Sequence, residues 1–329
     1  MTQVINKGQP TLSEVHMNKP LTTISVAYIQ DASEYIAEKV FPVVGVRKAS
    51  DKYFTYDKND WFRDEAQLRA PATESAGGGY SLSDDSYMCE VWAFHKDIDA
   101  QTEANYDEPL DADRDATEFV TQRLLLKRDK LFIDNFLTTS VWDNDKQGGD
   151  GTGDFEEWND FTNSDPIGDV TGWRRAVKKN TGLKPNKLLI GGLVWDKIKD
   201  HPDILERIKY TREALNINPS LVARAFDLDD IVIAEAIEAT NNEGATAAYD
   251  HMVGKKGLLY YQPSRPTILQ PAAGYIFAWT GYAGSNAYGI AVDSFYMRPI
   301  KSRRIEGEMA FDIKKVGADL GVYLYDIIA

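Results

Sequence analysis

The chain has 329 residues, with 37 Lys and Arg against 51 Asp and Glu, for a formal charge of -14 at pH 7. That length suffices for one large core or two moderate ones, and apolar (43%) and charged (27%) fractions near the soluble average exclude disorder and a membrane protein as the default. The acidity excludes a surface built to grip phosphates through clustered Lys and Arg, and no long basic stripe offsets it.

Met1 to Thr11 lacks the basic start and apolar run of a secretory leader, and no stretch approaches the ~20 apolar residues of a membrane span. No membrane partner is therefore expected. The lone cysteine, Cys89, cannot form an internal disulfide; it fits a reducing cytoplasm and the role of a small apolar strand residue.

In chain order, Thr22 to Val46 runs from mixed polar residues into a short helix around Tyr35, Ile36, Val40 and Phe41, stopped by Pro42. It reads equally as an arm with one anchor or as an ordinary helix packed on its own domain. Two strand-like runs follow, Tyr53 to Phe62 and Tyr87 to Phe94, separated by a polar stretch with Pro71 and the triplet Gly77 to Gly79. They predict a long hairpin. By the two-residue repeat, Tyr87, Cys89, Val91 and Ala93 point one way and Met88, Trp92 and Phe94 the other, so both faces are apolar. Such a hairpin is marginal alone and needs a partner, either its own domain or a neighbouring subunit.

Leu110 to Leu137 is the clearest helix. Phe119, Leu126 and Ile133 recur every seven residues beside Val120, Leu124 and Leu131, and no Gly or Pro intervenes. Asp111, Asp113 and Asp115 complement the dipole at its start. At ~1.5 Å per residue it is a rod of roughly 40 Å, suited to be a domain backbone.

Past an acidic, Gly-rich loop from Asp143 to Asp154, helices and strands alternate. Asp165 caps a helix with Pro166 at its first position, Val170, Trp173 and Val177 on its buried face, and Gly182 at its end. A strand at Lys187 to Ile190, short helices at Leu193 to Lys199, Pro202 to Tyr210 and Pro219 to Phe226, and a strand at Ile231 to Ile237 complete a compact α/β insert. The remainder reads as strands: Gly257 to Tyr261, Tyr275 to Trp279, Tyr288 to Tyr296, Arg303 to Ile313 and Leu320 to Ile328.

Chemistry is sparse. His16, His95, His201 and His251 lack ligand spacing, no second cysteine offers a thiolate, and no serine sits in a nucleophile elbow, so neither catalytic residues nor a cofactor are expected. The Gly77 to Gly79 triplet lacks the Lys and Ser or Thr of a phosphate loop, and the His201-Pro202-Asp203 tripeptide lacks the basic helical hairpin of a chaperone J-domain. The one metal candidate is calcium: Asp143, Asp145, Gln147, Gly148 and Asp154 fall at positions 1, 3, 5, 6 and 12 of a calcium-loop pattern. Gln147 and the short Asp154 weaken it, so a plain acidic loop is the preferred reading and no metal is expected.

Several strings are shared with a known family: IAEKVFPVVGV, SDKYFTYDKNDWFRDEAQLRAPATESAGGGY, RDATEFVTQRLLLKRDKLFIDNFLTTSVW, LKPNKLLIGGLVWDKIKDHPDILERIKYT and AGYIFAWTG. Spread over residues 24–329, they resemble major capsid proteins of tailed bacteriophages, which share the Hong Kong 97-type fold. The resemblance implies an α+β fold with an N-terminal arm (1–51), an extended hairpin loop (52–97), a peripheral domain (98–164 and 286–329) with a spine helix (111–137), and an inserted α/β axial domain (165–285).

It further implies a non-enzymatic subunit that assembles with itself into pentamers and hexamers of an icosahedral head, enclosing double-stranded DNA without reading it. Portal, scaffolding and decoration proteins are the implied partners. The location is the virion, after assembly in the host bacterial cytoplasm. The aromatics Tyr56, Trp61, Phe62, Trp92 and Phe94 are then expected to bury partly against neighbours, with polar contacts from Arg63, Asp64, Glu65, Arg69 and Glu74. Some members cross-link through a Lys of this loop; Lys58 lies in the right segment, but no partner Asn or catalytic carboxylate is assignable, and no covalent chemistry is expected. With about fifty residues before the hairpin, a separate scaffolding protein or none is expected in place of a fused one. Two rivals are an encapsulin-like nanocompartment shell, separable by its neighbouring genes, and an unrelated soluble enzyme or calcium-binding module, separable by particle size.

Overall fold

The computed structural model describes residues 32–56, 58–105, 111–149, 151, 153–209, 217–242, 244–265, 271–282 and 289–329. Most of the expected arm, and the Leu110, Tyr210 and Tyr288 ends of expected elements, lie outside the described residues.

Helix α1 (Ala37–Val40) ends where Pro42 cannot continue it, and the chain extends into β1 (Val43–Val46) and β2 (Ser50–Tyr56). The helical turn α2 (Lys58–Trp61), β3 (Leu82–Met88), β4 (Glu90–Asp99) and α3 (Ala100–Glu103) follow.

The spine helix α4 (Ala112–Phe136) has 25 residues, about 38 Å at ~1.5 Å per residue. Asp111 caps it, Oδ1 accepting the amides of Asp113 (3.1 Å) and Arg114 (3.2 Å). Of the predicted Phe119, Leu126, Ile133 stripe, Ile133 is buried and Leu126 packs partly against the core, and only Phe119 needs correction. The buried face runs through Ala116, Val120, Leu124, Arg128, Asp129, Phe132, Ile133 and Phe136, while Phe119 is 40% exposed under Lys96 and Arg123. This helix is apolar on more than one side, and the sheet beneath it selects the face.

Next come β5 (Asn144–Gln147), α5 (Pro166–Thr181), β6 (Lys187–Gly191), α6 (Gly192–Ile198), α7 (Pro202–Ile208) and α8 (Pro219–Ala225). The end signals of α5 work as read: Asp165 accepts the Gly168 amide (2.8 Å), Pro166 opens the helix and Gly182 closes it at φ 77°. Strands β7 (Asp230–Ala234), β8 (Ile237–Ala239), β9 (Tyr249–His251), β10 (Gly257–Tyr260), β11 (Gly274–Trp279), β12 (Ile290–Met297), β13 (Ser302–Lys315) and β14 (Gly321–Tyr325) complete the described elements.

Two main sheets organise the chain. In the first, the long β13 has β4 along one edge and β12 then β11 along the other, with β1 parallel outside β11. Helix α4 covers one face: a Cβ on Gly307 would lie 2.5 Å from Val120 Cγ1, so only glycine allows this approach. The second sheet runs β5-β14-β10-β6-β7. One of its faces packs on Trp158, Val170, Val177, Ile198, Ile204, Val222 and Phe226. The other meets the end of α4 through Leu189, Leu258, Tyr323, Phe136, Trp142 and Phe41, in a cluster continuous with the core under the spine helix.

These pairings redraw the expected domain edges. Strand β11, expected in the insert, pairs with β13 in the first sheet, whereas β5 and β14, expected in the peripheral domain, build the second. Local patterns identify a strand but not its distant partner, and here the partner decides the unit. The 4-residue turn α2 also replaces the far end of the first expected strand, Tyr53 to Phe62.

Candidate intersubunit surface

The hairpin pairs Ser50 with Met88 through Tyr56 with Leu82. Its inner face is fixed to the first sheet: Tyr87 stacks on Phe277 at 4.6 Å, Tyr53 lies 5.5 Å from the same ring, and the Cys89 thiol donates to the Phe277 carbonyl (3.4 Å). Burial pushes that thiol up to about 12, so it is an inert packing group, as its strand context suggested. Tyr53 donates to Asp85 (2.8 Å), which holds the Asp85 carboxyl below its usual range. The outer face carries Phe54, Leu82 and Met88, all exposed. With one face covered by its own sheet, only the other is open to a partner.

Beyond the strands the tip is built locally. Asp60 accepts the amide (2.6 Å) and hydroxyl (2.5 Å) of Ser81, and these donors hold its carboxyl below the usual range. They bring Trp61 within 6.0 Å of Tyr80. Arg69 donates from Nε to the Thr73 carbonyl (2.6 Å) across a turn with Ala72 at φ 62°. Trp61 is 58% exposed, Phe62 66% and Leu68 102%, three large apolar side chains left open within one loop. Arg63, Asp64, Glu65, Arg69 and Glu74 are exposed in the same loop, with Arg63 pairing to Glu65 at 3.3 Å.

The ten residues expected at the interface do not form one group. Trp92 and Phe94 are corrected out of the hairpin, because the chain turns at Cys89 and enters the first sheet along β13. There Trp92 is half-buried beneath the Lys127 ammonium (4.7 Å), and Phe94 packs on Phe119 at 5.8 Å. The Tyr56 side chain lies outside the described residues. Sequence reasoning missed Phe54, Leu68, Tyr80, Leu82 and Met88, although they lie in the flagged segment; only register shows which of them face outward.

The weak calcium pattern does not take the form of a calcium loop. Asn144 to Gln147 forms strand β5, parallel to β14, so the backbone is extended where a calcium loop must curl around the ion. Asp154 is taken by the Lys146 ammonium (3.1 Å) and the Gln147 amide (3.1 Å), and Asp145 caps the Ser140 amide (2.7 Å). Among the described residues no group of His, Cys, Asp and Glu could hold a metal. His201 serves structure: Nδ1 accepts the Asp203 amide (3.3 Å) at the start of α7, so Nε2 carries the proton that it donates to Ser164 Oγ (3.0 Å). Among the described residues no helix is long and apolar enough to cross a membrane.

Two packed sheets, one roofed by a long helix, with an aromatic-tipped hairpin standing off the first, define a class. The chain has the α+β fold of phage capsid proteins, the Hong Kong 97-type plan. It superimposes on a phage-related protein from Bordetella bronchiseptica RB50 with a TM-score of 0.66 (21% identity, 92% of this chain and 94% of that one). The capsid of cyanophage P-SCSP1u gives 0.59 (12%, 92% and 90%). The SrpI encapsulin complex of Synechococcus elongatus PCC 7942 gives 0.53 (10%, 93% and 91%). In sequence, the chain is 24% identical over 274 residues to the major capsid protein of Burkholderia phage BcepMu, covering 80% of this chain and 84% of that one. No family model matches it. The resemblance to tailed-phage major capsid proteins thus holds in sequence and in fold.

Proposed function

We propose that this chain is the major capsid protein of a tailed phage, a structural subunit that joins copies of itself into pentamers and hexamers of an icosahedral head around double-stranded DNA. The observation that carries the reading is the exposed aromatic tip on a hairpin whose other face is already covered. Trp61, Phe62 and Leu68 stay largely exposed in the single chain, and a second copy is the partner for them that the capsid fold supports. The hairpin serves as the extended loop, the first sheet with α4 as the peripheral unit, and the second sheet with its helices as the axial unit at the capsomer centre. Tip aromatics supply most of the association free energy, because exposed ion pairs such as Arg63 with Glu65 contribute only ~0–1 kcal/mol each. Neutralisation of the genome is left to other components, since the chain itself is acidic. Portal and scaffolding proteins are the further partners, and the virion is the location.

Replacing Trp61 and Phe62 together with Ala tests this. A folded subunit that closes no shells under the electron microscope is the expected result, and normal particles overturn it. The encapsulin likeness keeps a second reading in view, a shell enclosing protein cargo; mass spectrometry and nucleic-acid analysis of purified particles separate the two by their contents.

A further inference from the structure

The hairpin tip is not free in the single chain. Lys58, the first residue of α2, places Nζ 2.6 Å from Asp319 Oδ2 on the 3-10 turn Ala318–Leu320. On the same side, Phe62 lies over Gly182: a Cβ built on that glycine would sit 2.6 Å from the Phe62 Cζ. Helix α5, which Gly182 closes, and the Ala318–Leu320 turn are neighbours, so the two contacts fall on one seat in the second sheet's unit, remote in sequence from the loop it receives. Gly182 suits a ring edge because its cap conformation, φ 77°, leaves the position without a side chain. The grip is thin, however. Phe62 remains 66% exposed, and the Lys58 and Asp319 side chains are 47% and 27% exposed, so solvent screens the pair.

We infer that this seat is a docking site for the loop tip of this chain that is filled from within in the free subunit and by the tip of a second copy in the shell. This rests on the shell reading above. The Lys58 to Asp319 pair and the Phe62 to Gly182 contact need nothing that distinguishes a chain's own tip from an identical neighbour's. An identical element passing between identical seats exchanges contacts at little net cost. Self-docking then holds the tip from neighbours until assembly offers an equivalent partner at high effective concentration.

The test uses the full chain and its native residues. A zero-length carbodiimide joins the Lys58 amine to the Asp319 carboxylate as an amide, the reagent taking up the water, and peptide mass spectrometry finds the joined pair. In unassembled subunits the expected link is within one chain. In shells built from equal parts of isotopically light and heavy subunits, light-to-heavy links are expected. No link in free subunits, or only same-isotope links in shells, overturns the inference.

A second arm uses Asn59→Cys with Ala318→Cys, which are sequence neighbours of the pair and leave Lys58 and Asp319 in place, bridged in the free subunit by a short bis-maleimide; buried Cys89, its thiol pushed up to about 12, does not compete. Bridged subunits are expected to stay out of shells while the unbridged variant assembles. Equal incorporation of both overturns the inference. A wild-type chain that builds no particles at all sinks the shell reading instead, and the free-subunit link then reads the self-docked seat on its own.

Discussion

Asp129 lies on the buried face of the spine helix, where a carboxylate is costly unless donors surround it. It accepts the amides of Ile36 (2.6 Å) and Ala37 (3.0 Å), the unpaired donors at the start of α1, while buried Arg128 beside it binds Glu38 of α1 (2.6 Å). Burial pushes the Asp129 carboxyl up from 3.8 to about 6, against the opposing pull of the two amides and Arg128. A raised carboxyl favours the protonated native state, so its stabilising contribution is full below 3.8 and is lost as pH rises through about 6. The stability of wild type relative to Asp129→Asn should therefore fall by up to roughly 3 kcal/mol between about pH 4 and about pH 7, by denaturant unfolding of unassembled subunits. A pH-independent difference would contradict this account. His201, pushed below its ordinary value by burial, is neutral and caps α7. His201→Ala should cost ~1–3 kcal/mol in the same assay, and His201→Asn, which keeps a capping acceptor, less.

At the level of elements, the contact between α4 and β13 holds the first sheet to its helix. It depends on Gly307, above which sit Val120 Cγ1 (2.5 Å to a built Cβ) and Leu124 Cδ1 (2.9 Å). Gly307→Ala forces these core side chains aside and should destabilise the subunit by ~1–3 kcal/mol, read as a lowered Tm, with the hairpin tip unaffected. An unchanged Tm would mean that helix and sheet separate freely. The hairpin behaves oppositely: its root is pinned by stacked aromatics, while its tip meets the body through the exposed contacts of Lys58 and Phe62. Substitutions at the root should therefore lower stability, and substitutions at the tip should alter assembly with little change in Tm.

For the whole molecule, the tip chemistry sets how an assembled shell responds to salt. Raising sodium chloride from about 0.15 M to about 1 M shortens the screening length from ~8 Å to ~3 Å, which weakens exposed ion pairs and leaves apolar contacts intact. Particles held by Trp61, Phe62 and Leu68 should persist through that change in light scattering and micrographs. Dissolution would place the association free energy in the charged residues around them.

The amino-acid sequence by itself determined the elements with strong local signals. The capped, uninterrupted spine helix, the Pro166 and Gly182 ends of α5 and most strands of the second half were legible, because each depends on neighbours within a few residues. Alternation marked Tyr87 to Phe94 as apolar on both sides, a run that belongs largely to the first sheet, whereas Trp61 and Phe62 were marked by the resemblance and not by periodicity. Tertiary structure alone decided where those elements belong. Only long-range pairing puts β11 in one sheet and β5 and β14 in the other, only the sheet selects Val120 over Phe119 for the core, and only the turn at Cys89 separates Trp92 from Trp61. Hydrogen-bond partners hundreds of residues apart leave no periodic trace, so pattern reveals which residues are adhesive, and packing reveals which of them the chain has already satisfied within itself.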